Sequence, residues 1–226
     1  MEKNQYKLCI EIFRRLEKSG VLKNMILVGS WCMPFYKDYF SDVVYSPSIR
    51  TRDIDFLIPR PGAIKSAVDV IGLVKDLGFV RGFRGREGYM VLEHPELAVE
   101  FLVPEKGRGT DKPVQLPTLG LNAQALRFLE LLSHETIHVK VEDVSLILPH
   151  PANYAVHKLI VSKRRKQKDK SAKDFEAGLK ILKALISQKE SRRIKKVFDS
   201  VPSKWKKIIL NELENAGEDH LLELLR

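Results

Sequence analysis

The chain has 226 residues, 44% hydrophobic and 30% charged, a balance that fits one sizeable soluble domain or a domain with a small appendage. No apolar run approaches the roughly 18 residues of a membrane span, and residues 1–18 mix acids and bases where a signal peptide would carry an apolar core. With Cys9 and Cys32 far apart and outside any disulfide framework, the expectation is a cytoplasmic protein with reduced thiols and no membrane association. The formal net charge of +10 attracts polyanions, whether nucleic acid, nucleotides or a membrane surface. Residues 163–173 and 190–207 carry much of the basic excess, and 212–223 are acidic. Such a basic run reads either as a solvated face or as a binding surface.

Leu8, Ile12, Phe13 and Leu16 stand at helical spacing, and Ser19-Gly20 supplies a stop, so residues 5–18 are expected to form a helix. Residues 25–28 read as a short buried strand that turns at Gly29-Ser30, and the aromatic stretch 31–40 as helical. The next strand begins at Asp53-Ile54-Asp55 and ends at Pro59. Residues 63–77 place Ala63, Ala67, Val70, Ile71, Val74 and Leu77 on one stripe, which predicts an amphipathic helix stopped by Gly78. Glycines at 82, 85 and 88 break residues 79–92 into a hairpin whose tip is basic, with Arg81, Arg84 and Arg86. Residues 97–103 form another strand, 105–117 a loop, and 126–148 end in two strands paired about Glu142-Asp143. Beyond Pro149 everything reads as helix: 153–162, 171–187, 190–198, 203–215 and 219–225. That shift divides the chain into an α/β domain, residues 1–149, and a helical domain, residues 150–226.

Asp53 and Asp55 alternate with Ile54 and Phe56, so on a strand both carboxylates share one side while the apolar residues face a core. Two like charges so close are costly unless a cation sits between them. Mg²⁺ is the usual partner of a carboxylate pair that handles phosphates; a solvated strand end is the other reading. Glu100 lies inside an otherwise apolar strand, where an unpaired carboxylate costs several kcal/mol. It reads either as an edge-strand acid, facing water or an arginine, or as the third wall of a metal cage. Gly29-Ser30, in a strand-to-helix turn, offers backbone N–H groups to a phosphate, and is equally a plain turn. His134-Glu135-Thr136-Ile137-His138 matches the zinc-protease string, but that motif needs a helix and a further downstream ligand, and residues 136–141 alternate like a strand.

Gly29-Ser30, the Asp53-Ile54-Asp55 pair and Glu100, in that order, resemble the nucleotidyltransferases of the DNA polymerase β superfamily. The long spacing from Ser30 to Asp53, and Arg50 and Arg52 ahead of the acid pair, are similar to the bacterial abortive-infection-toxin-like branch. Lys158 on its helix, Arg164-Arg165, and Lys173-Asp174 continue that similarity, which covers residues 25 to about 180. The resemblance implies an α/β (α+β) mixed sheet with flanking helices and a C-terminal helical domain. It implies Asp53, Asp55 and Glu100 as catalytic and metal-binding residues for Mg²⁺ or Mn²⁺, with Gly29, Ser30, Arg52 and Lys158 binding the nucleotide. The implied reaction moves a nucleotidyl group from an NTP to an acceptor hydroxyl, in tRNA or other RNA, a protein or a small molecule, and releases pyrophosphate. An antitoxin partner is implied as well. Glu100 departs from the aspartate many relatives carry as third acid. The alternative is a catalytically inactive nucleotidyltransferase fold that binds nucleotide or nucleic acid.

Overall fold

A computed structural model of the chain describes residues 3–47, 51–105, 107 and 112–226. By contacts it comprises two compact units, Met1–Phe35 with Pro47–Pro149, and Tyr36–Ser46 with His150–Arg226. The expected boundary falls at Pro149, but Tyr36–Ser46 packs with the helices that follow it rather than with the sheet.

The first unit contains α1 (Lys3–Lys18), β1 (Ile26–Val28), α2 (Cys32–Phe35), β2 (Asp53–Leu57), α3 (Val70–Val74), β3 (Val80–Arg84), β4 (Tyr89–Glu93) and β5 (Ala98–Pro104). It continues with β6 (Val114–Leu116), β7 (Leu121–Leu126), α4 (Glu130–His134), β8 (Thr136–Val141) and β9 (Val144–Pro149). The main sheet runs β1-β2-β5-β4-β3. β1 is antiparallel to β2, while β2 and β5 are parallel. The far edge of β5 is shared: β4 pairs with its first half and β7 with its second, and β6 extends β7. β8 and β9 form a separate antiparallel pair.

Alternation decides the faces. Ile54, Phe56, Val99 and Phe101 point to one side of the sheet and are buried, with the rings of Phe56 and Phe101 stacked at 6.2 Å. The stripe of α1 covers them, and Phe13 meets Phe56 edge-on at 5.8 Å. On the opposite side Leu57 and Leu102 join Ile26, Val28, Leu129 and Leu132 in another core cluster. The same side bears Asp53, Asp55 and Glu100, because residues two apart along a strand share a face.

Several expectations are corrected. Residues 63–77 do not form one helix: a 3-10 turn (Pro61–Ala63) and extended chain precede α3, whose start is fixed by the Asp69 side chain accepting from the Gly72 N–H at 3.0 Å. A side-chain cap competes with continuing the helix upstream, and the Val68 N–H is taken by the Thr118 carbonyl at 2.7 Å. The helix expected over 31–40 reduces to α2 after a 3-10 turn (Gly29–Trp31). The loop expected over 105–117 contains β6, and residues 106 and 108–111 lie outside the described ones. β7, whose apolar residues were not read as a strand, completes the edge of β5.

The second unit holds α5 (Pro151–Ser162), α6 (Lys168–Ser187), α7 (Ser191–Ser200), α8 (Ser203–Asn215) and α9 (Asp219–Leu225). α5 is its axis and is buried on nearly every side. Pro151 takes the first helical position, where its missing N–H costs nothing, and the His150 ring accepts from the Ala152 N–H at 3.1 Å. Gly178 lets α6 approach closely, since a Cβ there would lie 3.1 Å from the Ala155 carbonyl oxygen. Tyr39 ties Tyr36–Ser46 to these helices: its hydroxyl donates to Glu190 at 2.7 Å and lies 2.9 Å from His150 Nε2.

Candidate active site

The acids meet through strand register. Asp55 stands directly opposite Glu100 on the parallel pair β2–β5, and Asp53 is two residues back on the same face. Val28, the last residue of β1, stands opposite Asp55 on its other side, so the turn at Gly29 arrives beside that carboxylate. Gly29 has φ +72°, and a Cβ there would fall 2.1 Å from Asp55 Oδ2. The position therefore requires glycine twice over, for its left-handed backbone and for the space. Ser30 follows in the 3-10 turn, half-buried.

A guanidinium holds the group together. Arg84, at the end of β3, places Nη1 2.5 Å from Glu100 Oε1 and 3.4 Å from Asp53 Oδ1, and its Nε lies 3.4 Å from Glu93 Oε1. Burial works against the charge of Arg84, but Glu100, Asp53 and Glu93 outweigh it and raise the guanidinium pKa above its usual value. Tyr89 faces Arg84 across the hairpin. Burial pushes its phenol pKa up, and the charges of Glu100, Asp53 and Asp55 add to that against Arg84. The hairpin is pinned to β7 by Asn122, whose Oδ1 accepts from the Met90 N–H at 2.6 Å and whose Nδ2 donates to the Gly88 carbonyl at 3.2 Å.

Asp53, Asp55 and Glu100 are oxygen donors on one face of the sheet, the donor type a hard divalent cation takes. As the side chains stand, no group of three or more His, Cys, Asp or Glu among the described residues is disposed to hold a metal, and Arg84 bridges Asp53 and Glu100. Asp53, Asp55 and Glu100 are the residues that would hold Mg²⁺ or Mn²⁺.

The remaining expected site residues stand on other segments. Arg52 is exposed and donates to the His94 carbonyl at 2.8 Å; Arg50 lies outside the described residues. Lys158 belongs to the second unit, where it is buried on α5 and pairs with Asp174 Oδ1 at 2.5 Å, while Arg165 Nε takes Asp174 Oδ2 at 2.8 Å. Lys158 and Asp174 thus form a buried ion pair. Burial works to raise the Asp174 pKa, but Lys158 and Arg165 overcome it and hold the carboxyl below its usual range. The zinc string is split, with His134 ending α4 and His138 exposed on β8. Of the basic hairpin residues, Arg84 turns in to the acids; sequence reading missed it, with Tyr89 and Glu93. The hairpin itself was legible, but its place beside β5 was not.

A family model described as Nucleotidyltransferase matches residues 7–202. No curated protein matches the chain. Among solved structures, the antigenic nucleotidyltransferase-like protein from Paracoccidioides brasiliensis superimposes with a TM-score of 0.51 at 12% identity, covering 100% of this chain and 94% of that one. ANT(2″)-Ia in complex with adenylyl-2″-tobramycin has a TM-score of 0.49 at 11% identity, covering 86% and 95%. At these identities the first likeness concerns the fold, and the mixed sheet with flanking helices and a helical C-terminal part is the shared architecture.

Proposed function

The chain belongs to the nucleotidyltransferase family, and on that premise we propose that it transfers a nucleotidyl group from an NTP to an acceptor hydroxyl in a metal-dependent reaction. The observation that carries this reading is the β2–β5 register, which sets Asp55 against Glu100 with Asp53 on the same face. In the proposed reaction the acceptor oxygen attacks the α-phosphorus, the bond from that phosphorus to the bridging oxygen breaks, and pyrophosphate leaves. A bound Mg²⁺ or Mn²⁺ supplies charge neutralisation on the phosphates. Asp53 and Asp55 would hold it with Glu100 completing the set, and Glu100 would take the proton of the acceptor hydroxyl. The Gly29-Ser30 turn presents backbone N–H groups to the β- and γ-phosphates, and Arg52 adds positive charge toward the nucleotide.

We read the acceptor as RNA. Residues 163–173 support this, because Lys166, Lys168, Lys170 and Lys173 are exposed there with few acids among them. The resemblance to the abortive-infection-toxin-like branch extends the proposal to an antitoxin partner, and the buried thiols of Cys9 and Cys32 suit a reducing cytoplasm. No helix of the described residues is long and apolar enough to cross a membrane.

One observation favours a second reading, a nucleotide- or RNA-binding protein without catalysis: Arg84 already provides the cation between Asp53 and Glu100. Incubation with each α-labelled NTP, Mg²⁺ or Mn²⁺, and either total RNA, cell lysate or small-molecule acceptors separates the two. The enzyme reading expects label on RNA. Label on protein or a small molecule moves the acceptor, and salt-sensitive RNA binding with no transfer in any arm establishes the second reading.

A further inference from the structure

We propose that Arg84 is the cation a divalent metal must displace, so that the β3–β4 hairpin sets the metal affinity of the carboxylate cluster; this rests on the metal-dependent reading above. Asp53 and Glu100 share a single cation as the side chains stand. The Arg84 Nη1 provides it at 2.5 Å and 3.4 Å. A metal bonding the same oxygens at about 2 Å per ligand leaves no room for that nitrogen, so the two cations exclude each other.

The hairpin is built for the exchange. Glu93 lies on the far side of the guanidinium, 3.4 Å from Nε, and offers a partner when Nη1 is expelled. Glu93 reaches there because position 82 has no side chain; a Cβ on Gly82 would come 2.7 Å from its carboxyl carbon. The Arg84 side chain is 36% exposed, enough to swing outward. The facing strand is held by Asn122, which bonds the Met90 N–H and the Gly88 carbonyl on either side of Tyr89, the residue opposite Arg84. Arg84 therefore acts as a positioning residue, keeping Asp53 and Glu100 gathered until metal arrives.

The test is Mn²⁺ titration of the full chain without nucleotide, following free Mn²⁺ by its EPR signal, with thermal melts in parallel. Arg84→Gln is expected to bind Mn²⁺ about tenfold more tightly than wild type, the size of one pKa unit of charge interaction. It is also expected to melt lower without metal and to gain more from it. Arg84→Lys, with a shorter and non-forked cation, falls between. Arg81→Gln makes the same change of net charge on the same strand and is expected to shift affinity little, separating site exclusion from general attraction. Glu93→Gln weakens Mn²⁺ binding through Arg84, so its effect shrinks in the Arg84→Gln background. Wild-type and Arg84→Gln affinities that agree, or an Arg81→Gln gain as large, overturn this inference while leaving the metal-dependent reading intact. If no variant takes up Mn²⁺, both fall.

Discussion

Gly29 and Asp55 are in contact so close that no other residue fits at position 29: a Cβ would sit 2.1 Å from the Asp55 carboxylate. This ties the turn after β1 to the middle of β2 and fixes where the backbone of that turn stands relative to the acids.

Gly29→Ala is therefore expected to lose nucleotidyl transfer and to destabilise by about 2–4 kcal/mol, combining left-handed strain with a forced shift of Asp55. Gly20→Ala is the control. Its φ is +76° but nothing lies within 4 Å of its Cβ position, so about 1 kcal/mol of strain alone is expected, with transfer unchanged. Denaturant midpoints and transfer rates of the two variants check the difference.

His157 makes acid sensitivity specific. Burial, then the charges of Lys158 and Arg165, push its pKa down from 6.5 to about 3, against the pull of Asp174. The unfolded chain thus binds the proton more readily than the folded one. The contribution of His157 is complete above about pH 6.5 and drains away as pH falls toward 3. Between pH 7 and pH 5 stability is expected to drop by about 2 kcal/mol. His157→Gln should flatten that slope in urea titrations at the two pH values.

Lys158 and Asp174 form a buried pair, and removing one partner strands the other. Lys158→Met is expected to cost about 3 kcal/mol, with Arg165 retaining part of the interaction, while Lys158→Met with Asp174→Leu recovers most of it. The depressed pKa of Asp174 contributes stability above the unfolded value near 4 and loses it as pH falls below; Lys158→Met should remove much of that acid limb.

Local signals in the sequence were strong where one face of an element is buried. Ile54, Phe56, Val99 and Phe101 alternate because α1 covers their side of the sheet, so β2 and β5 could be read directly, as could β8 with β9. Residues 63–77 misled for the same reason in reverse. Ala63 and Ala67 of their apolar stripe are exposed and outside any α-helix, while the buried Val70 and Val74 fall in α3, which the Asp69 cap starts late. The three acids could be nominated from their chemistry, but that Asp55 stands opposite Glu100 depends on strand order, a pairing between segments distant in sequence. Arg84 was legible as a basic hairpin residue and not as the partner of Asp53 and Glu100, because that requires β4 to lie between β3 and β5. Lys158 was visible on its helix, and its burial against Asp174 came only from the packing of α5 with α6.

The most direct test of the central claim compares wild type with Asp55→Asn, a near-isosteric change that keeps the contact with Gly29 and removes the charge. Both are incubated with α-labelled NTPs, Mn²⁺ and total RNA after matching melting curves confirm intact folds. The account predicts label on RNA with wild type and a loss of at least about a hundredfold with Asp55→Asn. Equal labelling by the two proteins, or none by wild type with any NTP or acceptor, would contradict it.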